Sequence, residues 1–294
     1  MGISGKTVGI IGASGFIGGE VASAASARGW RVVGFSRSDR EPGGGVAEWR
    51  RWEDDPDLSG LDAVINLAGE PIDQRWTPAV RERLRDSRVG VTGSLVRAMA
   101  HHRPQVLVNG SAVGIYGDRG DEILEEMSVP GRGWLAALCR DWEAAADGAP
   151  ESVRVVKLRT GIVLGSGGAA WKKMHRVFRL GLGGRFGDGC QGMPWSHVAD
   201  LAGWIVHALE RDEVVGPVNG SAPEPERNAD FTRILAGAVN RPAFFHAPGW
   251  ALKLGLGEFA EALLASQRVV PGVLQDSGYG FRFPRLGGAL DDLL

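Results

Sequence analysis

The stretch "KTVGIIGASGFIGGE" (6–20) begins as a short apolar run and meets glycines at once, as a buried parallel strand does. Helical sequence follows directly, so Gly12-x-x-Gly15-x-x-Gly18 falls between a first strand and a first helix. That placement gives each glycine a physical task. Gly12 lets the chain turn tightly, Gly15 leaves room for a pyrophosphate, and Gly18 lets helix and sheet pack closely. Backbone N–H groups at the helix start then face the phosphates, favoured by the helix dipole. Gly12, Ser14, Gly15, Phe16, Ile17 and Gly18 are therefore the candidate dinucleotide contacts of this loop.

Outward from it, "FIGGEVASAASARGW" (16–30) reads as a helix closed by Gly29, and "RVVGFS" (31–36) as a second buried strand. "DAVINLAG" (62–69) is a third. A long helix is expected across 78–100, with Val80, Leu84, Val91, Leu95 and Val96 on one stripe. "QVLVNGSA" (105–112), "VRVVKLRTGIVLG" (153–165) and "GPVNGSA" (216–222) read as further strands. Strands alternating with helices imply an α/β fold of Rossmann type, a doubly wound parallel sheet with ligands at the carboxyl ends of its strands. The expected organisation is a nucleotide-binding domain over 1–165, to which elements around 195–222 return. A smaller, mostly helical lobe is expected from 167–192 and 223–294, with "GEFAEALLASQRVV" (257–270) as its clearest amphipathic helix.

The second strand ends "GFSRS" (34–38). An NAD-preferring fold places Asp or Glu there, to bond the ribose 2′-hydroxyl. Here Ser36 and Arg37 hold the spot, and a carboxylate arrives only at Asp39. A guanidinium offers paired donors to phosphate oxygens, so the pair points to NADP over NAD.

A net charge of −2 on 294 residues, with arginines dispersed, gives no electrostatic case for nucleic acid or an anionic membrane. Two cysteines, Cys139 and Cys190, make neither a disulfide framework nor a four-ligand zinc site, and no metal is expected. The N-terminus shows no signal-peptide pattern and no apolar run reaches the ~18 residues of a membrane span, so a soluble cytoplasmic protein is expected.

"GASGFIG", "VINLAGEPI", "QRWTPAVRERLRDSR", "SAVGIYGD", "LCRDWEAA", "LRTGIVLG" and "VNGSAPEPERN" together resemble the extended short-chain dehydrogenase/reductase superfamily. Within it they are similar to the NAD-dependent epimerase/dehydratase-like branch of "epimerase family" proteins of the SDR39U type. That branch carries an additional C-terminal domain of unknown function, which "RPAFFHAP" (241–248) and the residues up to Pro284 resemble. The resemblance implies further cofactor contacts. Leu67, Ala68 and Gly69 line the adenosine and ribose side, Arg88 flanks the cofactor from its helix, and Gly161 to Val163 run beside the nicotinamide carboxamide. Superfamily members often dimerise through a helix pair, which leaves a homodimer open.

Superfamily chemistry uses Tyr-x-x-x-Lys on a helix, which sets both side chains on one face. The lysine lowers the tyrosine pKa so that the phenol exchanges protons near neutrality. This chain has only two tyrosines, Tyr116 and Tyr279, and four residues after them stand Gly120 and Phe283. Aligned on Trp142 and Glu143, the tyrosine position falls near Leu135 and the lysine position at Cys139. Ser111 matches the superfamily's strand-end serine and is the candidate catalytic residue, with a turn serine bonding local backbone as the alternative. Tyr116 and Cys139 read better as core residues, and His197 and Asp200 as groups that hold a helix start. Two functions stay open. One is an NADP-dependent oxidoreductase or epimerase acting on a small-molecule substrate without the dyad; the other is a non-catalytic NADP(H)-responsive regulator or scaffold.

Overall fold

The structure, a computed structural model, describes residues 5–294. Seven strands form one parallel sheet: β1 (Thr7–Ile11), β2 (Arg31–Ser36), β3 (Glu48–Arg51), β4 (Ala63–Asn66), β5 (Val106–Ala112), β6 (Arg154–Thr160) and β7 (Gly216–Gly220). Their order is β7-β6-β5-β4-β1-β2-β3, so the chain reverses direction across the sheet between β1 and β4. That reversal opens a crevice above the carboxyl ends of β1 and β4, where open α/β sheets bind ligands.

The alternation of side chains builds both layers. Val8, Ile10, Val32, Ala63, Ile65, Val106 and Val108 face one way and pack on α1 (Phe16–Ala27) and α6 (Val198–Glu210). Ile11, Val33, Phe35, Val64 and Leu107 face the other way, against α3 (Val91–His102) and α4 (Trp134–Asp147). Both faces are covered, which is why these strands read as continuous apolar runs.

Several elements differ from the sequence expectation. β3, "EWRR", was not expected, because it is a polar edge strand whose Glu48 pairs with Arg31 and Arg50 at 2.9 Å rather than with a core. The single strand expected over 153–165 is two. The chain bends at Gly161, where a Cβ would collide with the Pro194 carbonyl, and residues 162–164 pair with Trp195–His197 instead. The helix expected over 257–270 is helical only at Phe259–Leu264. Beyond it, Ser266 and Gln267 are buried and bonded to Asp118, Gly120, Gly192 and Gly117, and Arg268–Val269 pairs with Ile123–Leu124. Tertiary hydrogen bonds override an amphipathic pattern there.

A second apolar cluster joins α5 (Ala169–Arg179), α7 (Asn228–Ala238) and the C-terminal helix Leu286–Leu293 through Trp171, Phe178, Phe231, Leu235, Phe283 and Leu286. Asp200, at the start of α6, accepts from the backbone N–H groups of Arg282 and Phe283, both at 2.8 Å. His197 caps the same helix through Nδ1, which accepts from the Ala199 N–H. Both residues hold the C-terminal lobe against the sheet. Among the described residues no helix is long and apolar enough to cross a membrane.

Gly18 sets a tight constraint on the glycine loop. A Cβ there would overlap the Gly12 carbonyl and the Ala13 backbone, whereas one at Gly19 has 3.8 Å to its nearest neighbour, the Ala13 carbonyl. Gly18→Ala is expected to cost about 2–3 kcal/mol as overpacking against immobile backbone. Gly19→Ala is expected to be neutral or to gain up to about 1 kcal/mol from helix propensity. Urea unfolding of the two variants checks both; equal behaviour would show that the loop does not need the close approach.

Candidate functional site

Gly12 has φ +84°, and a Cβ there would stand 2.9 Å from the Leu67 carbonyl. The turn is therefore pressed against the end of β4 and admits only glycine. Gly15 closes it by donating its N–H to the Gly12 carbonyl at 2.9 Å, and it precedes α1 without any side-chain cap. The first N–H groups of α1, from Phe16 and Ile17 onward, are thus left without side-chain acceptors and free for an anion. Ser14 is exposed on the loop. The Phe16 ring spreads over Gly165, Gly167 and Gly168, each of which lacks the side chain that would displace it. Ile17, Leu67 and Val163 pack on the same apolar cluster, so the loop, the end of β4 and the 161–168 bend share one wall.

At the end of β2, the Ser36 hydroxyl accepts from the Ser38 backbone N–H and from Arg40 Nε, both at 3.2 Å. The Arg40 guanidinium lies 5.4 Å above the Trp49 ring, which is itself fixed by its Nε1 donating to the Glu41 carbonyl at 3.0 Å. Arg37 is exposed beside them. The sequence names Ser36 and Arg37 as candidates, and the fold brings Arg40 to the same place. The signal for it is Trp49 on an edge strand.

Leu67, Ala68 and Gly69 leave β4 in a turn held by buried side chains. Asn66 donates to Asn109 Oδ1 at 2.8 Å and to Thr92 Oγ1 at 3.0 Å, and it accepts from the Ala68 N–H. Trp142 Nε1 also donates to Thr92 Oγ1, at 3.0 Å. Arg88 arrives from a π-helical turn, Asp86–Gly90, that interrupts the expected long helix between α2 (Pro78–Arg85) and α3. Such turns mark inserted residues and often functional sites. The guanidinium lies over Gly69, donates to the Glu70 carbonyl at 3.0 Å and stacks on Trp142.

The end of β5 holds the groups from which a proton relay would be drawn. Ser111 is buried and donates to Glu143 Oε1 at 2.7 Å. Glu143 also accepts two bonds from Arg159, Nε to Oε1 and Nη2 to Oε2, both at 2.8 Å. Arg159 Nη1 donates to the Tyr116 hydroxyl, which in turn donates to Asn219 Oδ1 at 2.6 Å. Burial pushes the Tyr116 phenol up, away from neutrality, and its ring is fully enclosed. Where the dyad would stand, Leu135 packs over Gly114 and Cys139 is buried. Burial, helped by Glu143, pushes the Cys139 thiol up to about 12, so it stays a protonated, inert side chain. No group of three or more His, Cys, Asp or Glu is disposed to hold a metal among the described residues.

Comparison with known proteins follows the same lines. Residues 8–219 match the model of the NAD dependent epimerase/dehydratase family, and residues 247–293 match a domain of unknown function, DUF1731. An epimerase family protein of Mycobacterium bovis is 40% identical over 292 residues, covering 96% of each chain. A chloroplastic SDR39U1 homolog of Arabidopsis thaliana is 37% identical, covering 97% of this chain and 85% of its own. The crystal structure of the human epimerase family protein SDR39U1 (isoform 2) with NADPH superposes with a TM-score of 0.91 at 35% identity, over 98% of each chain.

Ser111→Ala removes a buried donor to Glu143 and is expected to cost about 1–2 kcal/mol of stability while leaving any NADPH turnover unchanged. A rate loss beyond tenfold in a folded S111A protein would restore a chemical role to the hydroxyl. In the native protein, iodoacetamide at pH 8 is expected to label the exposed Cys190 and to spare Cys139, as read by mass spectrometry.

Proposed function

The chain belongs to the NAD-dependent epimerase/dehydratase family, and we propose that this protein binds NADP(H) in the β1–β4 crevice and exchanges hydride with a small-molecule substrate. The observation that carries the reading is the pairing of the glycine cradle with the basic cluster closing β2. Gly12 and Gly18 let the turn close against the end of β4 and α1 close against the turn, while a Cβ at Gly15 would meet only the Gly12 carbonyl, so the loop presents bare backbone where a pyrophosphate packs in this reading. Ser36, Arg37 and Arg40 then offer a hydroxyl and two guanidinium groups to a 2′-phosphate, and no carboxylate stands at the β2 terminus itself to repel it. Bound NADPH supplies a hydride; the residues named here supply binding and alignment. Leu67 to Gly69, Arg88 and Gly161 to Val163 line the remainder of the crevice in this reading.

The proton that accompanies the hydride has no tyrosine to come from. It passes between the substrate and water, with Leu135 and Cys139 excluding other acids from the position of the usual dyad. Positioned acid–base groups contribute about 10²–10⁴-fold, so turnover is expected to be slow by that margin while alignment keeps its own contribution.

A second reading has a specific observation behind it. Ser111, Tyr116 and Cys139 are all committed to the core, which fits an NADP(H)-responsive regulator that performs no turnover.

NADPH at 100 times its Kd is expected to stabilise the protein by about 2.7 kcal/mol, a rise of several degrees in Tm. NADH at the same concentration is expected to do much less. Arg40→Ala should weaken NADPH about tenfold and leave NADH unmoved. Equal shifts with the two nucleotides would remove the basic-cluster argument. Incubation with a panel of carbonyl compounds then separates the readings: NADPH oxidation supports hydride exchange, and its absence together with an NADPH-dependent partner in a pull-down supports the regulator.

A further inference from the structure

Two stretches of the chain carry cations and no carboxylate. Residues 166–187 hold Lys172, Lys173, Arg176, Arg179 and Arg185, and residues 238–257 hold Arg241 and Lys253. The next acids along the chain are Asp188 and Glu258, and Glu258 is paired with Arg81. The net charge of −2 conceals this asymmetry because it sums over the whole sequence.

The fold brings the two stretches together. Arg241 Nε donates to the Arg179 carbonyl at 3.1 Å, at the end of α5. The strand Gly184–Phe186 then pairs in parallel with Phe245–Ala247, setting Gly184 opposite Phe245. From there the chain passes through Pro248 into α8 (Gly249–Leu256). α5 turns Trp171 and Phe178 into the second apolar cluster, which leaves Lys172, Arg176, Arg179 and Leu180 exposed. Lys173 is paired with Asp73, whereas Lys172, Arg176, Arg179 and Lys253 form no ion pair among the described residues.

Large apolar side chains stand among these cations, out in solvent. Leu180 is 65% exposed, Phe244 88%, Trp250 72% and Leu254 73%, and Leu182 and Phe245 are exposed beside them. α8, "GWALKLGL", has no buried residue, although five of its eight are apolar. Trp250 and Leu254 lie one turn apart on one side of it. The display is fixed by close backbone packing. A Cβ at Gly183 would overlap the Phe178 ring, and one at Gly184 the Phe245 carbonyl. An apolar surface left uncovered in this way marks a contact with something outside the chain.

Charge decides what that is. A second copy of the chain would set cation against cation across a two-fold contact, which opposes association. An anionic surface is attracted instead. The occupant must also accept bulky side chains that project singly from a loop and a short helix. A bilayer interface meets both conditions: acidic headgroups attract Lys and Arg, and Trp, Phe and Leu enter the layer beneath them.

We propose that this face of the C-terminal lobe attaches peripherally to an anionic lipid bilayer. Leu180, Phe244, Trp250 and Leu254 enter the interface, and the cations of α5 rest on the headgroups. The attachment does not depend on the NADP(H) reading above.

Co-sedimentation of the full chain with vesicles tests it. Vesicles of equal parts phosphatidylglycerol and phosphatidylcholine are expected to carry the protein down, and vesicles of phosphatidylcholine alone to leave it in solution. Trp250→Ala with Leu254→Ala should weaken binding about tenfold by removing inserted apolar area. Arg176→Ala with Arg179→Ala should weaken it by at least about tenfold, since two cations near the surface are lost. Val215→Ala removes an exposed apolar side chain beside the opposite, amino-terminal end of β7 and should change nothing. Equal binding to both kinds of vesicle, binding to neither, or unaffected binding in either pair overturns the proposal. So does binding to soluble polyglutamate by a protein that ignores the vesicles, which would make the face a site for an acidic protein segment. Circular dichroism checks that each pair folds. Should one fail, Phe244→Ala stands in for the apolar set and Lys172→Ala for the cations, each with a loss of about fivefold, and no loss again overturns the proposal.

Discussion

The carboxylate of Glu143 and the guanidinium of Arg159 meet edge to edge inside the molecule, and much of the architecture is arranged so that neither is left unpaired. Glu143 comes from α4 and Arg159 from β6; Ser111 of β5 completes the carboxylate, while Tyr116 and the Glu126 carbonyl complete the guanidinium. Tyr116 hands the chain of bonds on to Asn219 of β7. An isolated buried ion of either sign would cost several kcal/mol, so each member holds the others in register. The pair thereby fixes three adjacent strands and the helix above them.

The same network decides what the site is able to do. In the superfamily this corner of the fold exchanges protons. Here its hydroxyls are spent on a permanent ion pair, and its helix presents Leu135 and Cys139. Polar residues remain in number, but they face inward. Two further carboxylates do comparable structural work for the C-terminal lobe. Glu126 accepts from the N–H groups of Asn219 and Val273, and Asp200 from those of Arg282 and Phe283. The lobe is thus tied to the sheet by charge-assisted bonds as well as by apolar packing.

Electrostatics divide the crevice into two basic stations. Arg40 rests on Trp49 beyond β2, and Arg88 rests on Trp142 beyond β4. In each case an aromatic face orients a guanidinium that backbone carbonyls or a serine hydroxyl hold in position.

The sequence by itself determined the parallel sheet and its nucleotide loop, because both are written in local patterns. Apolar runs of strand length, three glycines at a fixed spacing and Ser36-Arg37 in place of an acid are read without knowing what lies opposite them. Tertiary structure alone decided the rest. Arg40 joins the β2 cluster only because Trp49 sits on a neighbouring edge strand, and polar edge strands leave no apolar signature. The π-helical turn that aims Arg88 is invisible in a pattern that keeps its stripe on both sides. Residues 265–270 lose their helix to Asp118, Gly120 and Gly192, far away in the chain. The fate of Ser111 depends on Glu143 reaching it from α4. A side chain's chemistry is local, but whether its hydrogen bonds are free for a ligand is settled by partners that only folding brings near.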